Sequence, residues 1–125
     1  MWKYRLFVLG ITLVISCCAS PSKVVTVPSG EQLVELKARS FDFDPYLIRT
    51  QQGGLLVLVI DNVEGMEHNF TIKNPMGEVL VTKDLPAHET VRVEVPLSQT
   101  GEYLFYCDMP FHTALGMKGH LVVEK

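Results

Sequence analysis

Past about residue 32 the chain is written in short runs of period two, each closed by a turn, and no stretch sustains a helical period. Val34, Leu36 and Ala38 alternate with Glu35, Lys37 and Arg39, the pattern of a strand with one wet face. Leu55 to Ile60, after Gly53-Gly54, is a continuous apolar run that predicts a strand buried on both faces. Phe70 and Ile72 alternate with Asn69, Thr71 and Lys73, and Val79-Leu80-Val81 follows an Asn74-Pro75-Met76-Gly77 turn. Val91, Val93 and Val95 alternate with Arg92 and Glu94 until Pro96 stops them, and Gly101 to Cys107 and His120 to Glu124 close the series. The pattern predicts an all-β Greek-key sandwich or barrel of about seven to eight strands, enclosing one core. Side chains two apart share a face, so Tyr103, Phe105 and Cys107 are expected together on the inner one.

The start of the chain reads differently. Lys3 and Arg5 precede the ten-residue apolar run Leu6 to Ile15, too short to span a bilayer about 30 Å thick as a helix. A removable export signal over residues 1–16 fits better. Val14-Ile15-Ser16-Cys17 resembles a bacterial lipobox, which predicts acylation of Cys17 and a membrane anchor; conventional cleavage after Ala19 is the competing reading. Residues 17–31, with Ser20, Pro21, Ser22, Pro28, Ser29 and Gly30, are expected as a tether, leaving 32–125 as the folded domain. The domain is therefore expected outside the cytoplasm, in the periplasm or at the cell surface. The net charge of −3 becomes more acidic once Lys3 and Arg5 are removed, and no basic patch appears, which argues against a nucleic-acid partner.

With Cys17 and Cys18 in the processing region, Cys107 is the one thiol of the domain. A leftover cysteine in an exported protein is an inert packing residue, a reactive thiol or a metal ligand. The residues that follow favour the metal. Cys107, His112 and Met117 stand at five-residue steps, and His68 stands upstream in Glu67-His68-Asn69-Phe70. Two imidazoles, a thiolate and a weak thioether are the donor set of a mononuclear blue-copper site. A closed zinc site prefers more thiolates and rarely recruits a thioether. Gly116 and Gly119 are expected to let the loop curl back. Met66 and Met109 are read as packing residues, and His88 and His120 as surface histidines.

The domain resembles the cupredoxins, the plastocyanin- and azurin-like proteins. The likeness runs through Phe41-Asp42-Phe43-Asp44-Pro45 with Ile48 and Gly53-Gly54, then Asn62 to His68-Asn69-Phe70. It ends in Gly101-Glu102-Tyr103, Tyr106-Cys107, His112 and Gly116-Met117-Lys118-Gly119. Carried over by position, the resemblance implies His68, Cys107 and His112 as strong equatorial ligands of one type 1 copper, with Met117 as the long axial ligand. Asn69 is expected to bond across to the Cys107 loop and keep the His68 strand in register with it. Four residues separate Cys107 from His112, more than in many cupredoxins, and this bears on the placement of Met117 rather than on the ligand set.

The function this implies is electron transfer between extracytoplasmic redox partners, such as a c-type cytochrome or a terminal oxidase or reductase. Pro110, Phe111, Ala114 and Leu115 would form an apolar docking rim around His112. A copper enzyme is disfavoured because His88 and His120 alone cannot build a trinuclear cluster, and a binuclear centre would need a second cysteine in the loop. Copper delivery or storage on the same scaffold is the alternative.

Overall fold

The structure is a computed structural model, and it describes residues 24–28 and 30–125. The expected signal segment 1–16 and the expected acylation site Cys17 lie outside the described residues. The described residues form ten strands: β1 (Val24–Thr26), β2 (Leu33–Arg39), β3 (Asp42–Asp44), β4 (Leu47–Gln51), β5 (Leu55–Asn62), β6 (His68–Lys73), β7 (Val79–Leu85), β8 (Thr90–Pro96), β9 (Gly101–Tyr106) and β10 (Lys118–Glu124). They form a six-stranded sheet in the order β1-β4-β10-β9-β6-β7 and a four-stranded sheet in the order β3-β2-β5-β8. The all-β sandwich is as expected, with a higher strand count. The additional strands include β1 and β3, three residues each, too short to show a period in sequence.

Part of the expected tether is built into the sandwich. Val24, Val25 and Thr26 run parallel to Leu47, Ile48 and Arg49 of β4, and the Val27 amide donates to the Arg49 carbonyl at 2.8 Å. The β-branched side chains explain it: Val27 is buried and Val25 packs against the core, so the segment gains apolar burial as an edge strand.

Alternation decides which face each strand buries. Leu36 and Ala38 of β2, Val93 and Val95 of β8, and Tyr103 and Phe105 of β9 all point inward. The β5 run differs from the expectation of burial on both sides. Leu56, Leu58 and Ile60 are fully buried, while Leu55 is exposed and Val57 and Val59 are only partly covered. The outer face of the four-stranded sheet, in which β2 and β5 run parallel and the two edge pairs antiparallel, meets solvent in part. Where the two sheets meet, Phe43 sets its edge on Phe70 and Phe105 at centroid distances of 5.7 and 5.6 Å, and Phe70 stacks on Phe105 at 5.5 Å.

Gly119 proves to matter for close approach rather than for loop freedom. It lies opposite Phe105 in the β9–β10 ladder, and a Cβ there would come within 2.4 Å of the Phe105 ring and 2.5 Å of the Tyr46 carbonyl oxygen. Gly119→Ala is therefore expected to cost about 1–3 kcal/mol through overpacking, read as a lowered urea midpoint at unchanged slope.

Candidate metal centre

Ladder register gathers the donors at one end of the sandwich. In the antiparallel β6–β9 pair, Thr71 faces Tyr106. Continuing that register past the end of β9 sets Cys107 beside Phe70 and Asp108 beside Asn69, with His68 at the start of β6. On the other side of β9, Tyr106 faces Lys118, and the Cys107 amide donates to the Met117 carbonyl at 3.1 Å. Cys107 follows Tyr103 and Phe105 on the inner face and is fully buried, as the alternation predicts.

Residues 107–117 form a tight loop held by its own bonds. The His112 amide donates to the Met109 carbonyl (3.1 Å), Gly116 to Thr113 (3.0 Å) and Met117 to His112 (3.0 Å), while the Thr113 hydroxyl donates to the Cys107 carbonyl. Gly116 takes φ 107°, a conformation costly for any side chain with a Cβ, and this lets the loop turn back into β10.

The loop delivers His112 to His68 and Cys107. His112 Nδ1 lies 3.2 Å from His68 Nδ1 and 3.5 Å from Cys107 Sγ, and one donor atom from each residue fits within a span of 4.8 Å. A borderline divalent ion bonded to nitrogen at about 2.0–2.1 Å and to thiolate sulfur at about 2.3 Å holds neighbouring donors about 3.3–3.7 Å apart. The cluster fits one such ion. Among the described residues it is the one group of three or more His, Cys, Asp or Glu side chains close enough to share a metal. Met117 is fully buried beside Cys107 through the backbone pair just described. His68 is fully buried as well, and only the imidazole of His112 reaches partly to solvent. The Phe41 ring meets His112 edge-on at 5.2 Å.

A polar frame surrounds the cluster. The Asn69 amide points at Cys107 Sγ at 3.5 Å; its side-chain N–H donates to the Asp108 carboxylate, and its side-chain oxygen accepts from the Asp108 amide at 2.8 Å. Burial pushes the His68 pKa below its ordinary value, opposed by the Glu64 carboxylate 3.5 Å from Nε2. Bonds to the Ser40 backbone and then its hydroxyl hold the Glu64 carboxyl below the ordinary range against partial burial.

Asn62 is a framework residue that the sequence reading gave no role. It is fully buried at the end of β5, and its amide N–H groups serve the carbonyls of Met66 (2.8 Å), Leu85 (2.9 Å) and Pro86 (3.1 Å). Its oxygen accepts from the Glu64 amide at 3.2 Å. The signal was present: after Leu56, Leu58 and Ile60, period two puts an asparagine on the inner face, where an amide must find partners. The remaining expectations fall into two groups. Pro110, Phe111, Ala114 and Leu115 are all exposed in the loop that carries His112, Phe111 at 81%. Met109 packs against the core, Met66 is exposed, His88 sits in an exposed turn, and His120 pairs with Glu102 at 2.7 Å, away from the clustered donors.

Each buried acceptor left bare costs about 1–3 kcal/mol, so Asn62→Ala is expected to lose about 2–4 kcal/mol of stability. Asn69→Ala, whose partner Asp108 is exposed, is expected to lose about 1 kcal/mol. Urea titration of the metal-free full chain checks both, and equal losses would contradict the difference in burial.

Comparison with known proteins agrees with this architecture. Auracyanin from the photosynthetic bacterium Roseiflexus castenholzii superposes with a TM-score of 0.67 at 17% identity, covering 76% of this chain and 98% of that one. Auracyanin A, a "blue" copper protein from Chloroflexus aurantiacus, gives 0.61 at 21% identity, covering 81% and 99%. The metal binding domain of the Cu(I)-exporting P-type ATPase of Streptococcus pneumoniae gives 0.62 at 13% identity, covering 82% and 96%. No curated protein sequence matches the chain. A family model, the cupredoxin-like domain, matches residues 6–123. With a two-sheet sandwich whose end is closed by a Cys-His-Met loop folded onto His68, and with that match spanning nearly its whole length, this chain belongs to the cupredoxin-like family.

Proposed function

We propose that the protein is a type 1 copper electron-transfer protein, with His68, Cys107 and His112 as the strong ligands and Met117 as the weak axial one. The observation that carries this reading is a soft cluster of two imidazoles and one thiol beside a buried thioether, opened to solvent only at one imidazole. A thiolate and a thioether favour Cu(I), imidazoles suit both oxidation states, and bound copper would supply a one-electron Cu(II)/Cu(I) couple.

The chain's own groups do the rest. The Asn69 backbone amide lies 3.5 Å from the Cys107 sulfur and helps to hold it in place. The β6–β9 ladder and the loop's internal bonds fix donors from distant parts of the chain, so their spacing changes little when charge changes. The half-open edge of His112, ringed by Pro110, Phe111, Ala114 and Leu115, is the approach for a partner. An exposed apolar rim suits a small, transient interface with a redox protein, such as a c-type cytochrome or a terminal oxidase or reductase. The reading places this exchange outside the cytoplasm, with Cys17 as the lipid anchor, on the strength of the N-terminal sequence. The closed pocket favours a carrier over a delivery module, which has to release its metal, and no reaction chemistry beyond electron transfer is assigned to it.

Copper titration of the full chain, followed by visible absorption before and after a mild reductant, tests the reading. The expected result is an intense thiolate-to-copper band that bleaches reversibly and is absent in Cys107→Ser. A colourless chain that still holds copper tightly would instead assign delivery or storage.

A further inference from the structure

The two ring nitrogens of His68 face different groups. Nδ1 lies 3.2 Å from His112 Nδ1, inside the donor cluster, whereas Nε2 lies 3.5 Å from Glu64 Oε2. His68 is fully buried, and of its two neighbours the Glu64 carboxylate can only accept a proton bond whereas His112 Nδ1 can donate or accept, so the pair favours the proton on Nε2. That carboxylate is held from several sides. The Ser40 hydroxyl lies 3.0 and 2.9 Å from the two Glu64 carboxylate oxygens, the Glu64 amide donates to Asn62 Oδ1 at 3.2 Å, and its carbonyl accepts from the His88 amide at 3.0 Å. The Glu64 side chain is only 28% exposed, so water screens its charge incompletely.

We propose that Glu64 is a positioning residue of this centre: it accepts the Nε2 proton of His68, so that the ring presents Nδ1 to the metal, and its charge lowers the reduction potential. This rests on the electron-transfer reading for the potential, but not for the ring. A carboxylate behind a ligating imidazole fixes the tautomer and makes the ring a stronger donor. Both the stronger donor and the nearby negative charge favour the more highly charged oxidised ion. Glu64 is set apart from the docking rim, because its carboxylate turns toward Ser40 and His68.

The test has two arms. In the copper-loaded full chain, Glu64→Gln is expected to keep the thiolate absorption band and the copper stoichiometry while its midpoint potential rises. Ser40→Ala, which frees the carboxylate without removing it, is expected to raise the potential less. An unchanged potential in Glu64→Gln would overturn the tuning role. In the metal-free full chain, nitrogen-15 spectra of the imidazoles are expected to show His68 protonated at Nε2, and a mixture of tautomers in Glu64→Ala. The same single tautomer in Glu64→Ala would overturn the positioning role. A parent chain with no reversible couple would sink the electron-transfer reading and the tuning role together, and the metal-free spectra would still decide the positioning role.

Discussion

Thr71 lies opposite Tyr106 in the β6–β9 ladder, and from that single register the rest of the site follows. It brings the Asn69 amide within reach of the Cys107 sulfur and lets the Asn69 and Asp108 groups bond reciprocally. It also sets His68 at the sheet end where the loop after β9 folds over. A slip of one residue would turn either Cys107 or His68 out of the core, according to which strand moved, because side chains alternate faces at every step. The buried stack of Phe70 on Phe105, with Phe43 against both, resists such a slip, since these rings would have to leave the core.

Around that ladder the protein solves two opposed problems. Apolar burial holds the sandwich together, yet imidazole, thiol and carboxylate groups gather at its end, where polar groups are costly to bury alone. The cost is contained by pairing nearly every polar group there. Asn62 ties the segment preceding His68 to the β7–β8 connection, Ser40 occupies the Glu64 carboxylate, and Thr113 closes the Cys107 carbonyl. The same arrangement that buries His68 and Cys107 leaves one donor, His112, partly open to solvent, in the loop that also carries exposed Phe111 and Leu115.

Much of this was legible in the sequence, and what was missed has physical causes. Strands β2, β6, β8 and β9 were visible because alternation over five or more residues distinguishes a strand with an inner face. Strands β1 and β3, three residues each, carry too little period to be seen, which is why Val24–Thr26 read as part of a tether. The β5 run read as buried on both sides because its composition is apolar throughout, whereas its outer face is only partly covered. In its local sequence Gly119 looks like a flexible loop residue, but its need for no side chain comes from the Phe105 ring and the Tyr46 carbonyl. Neither is apparent from the local sequence.

The sequence by itself determined the all-β class, the inner face that carries Cys107, and the types of donor on offer, because these depend on local alternation and on side-chain chemistry. Only the tertiary structure decided that His68 and His112, 44 residues apart, meet at 3.2 Å, and that Ser40 and Glu64, 24 residues apart, form a pair behind the buried ring. Contacts of that kind leave no period in the chain. They are set by how two sheets close on one another, and that closure is where a list of candidate donors becomes a site with a defined inside, a defined edge and a carboxylate facing one particular nitrogen.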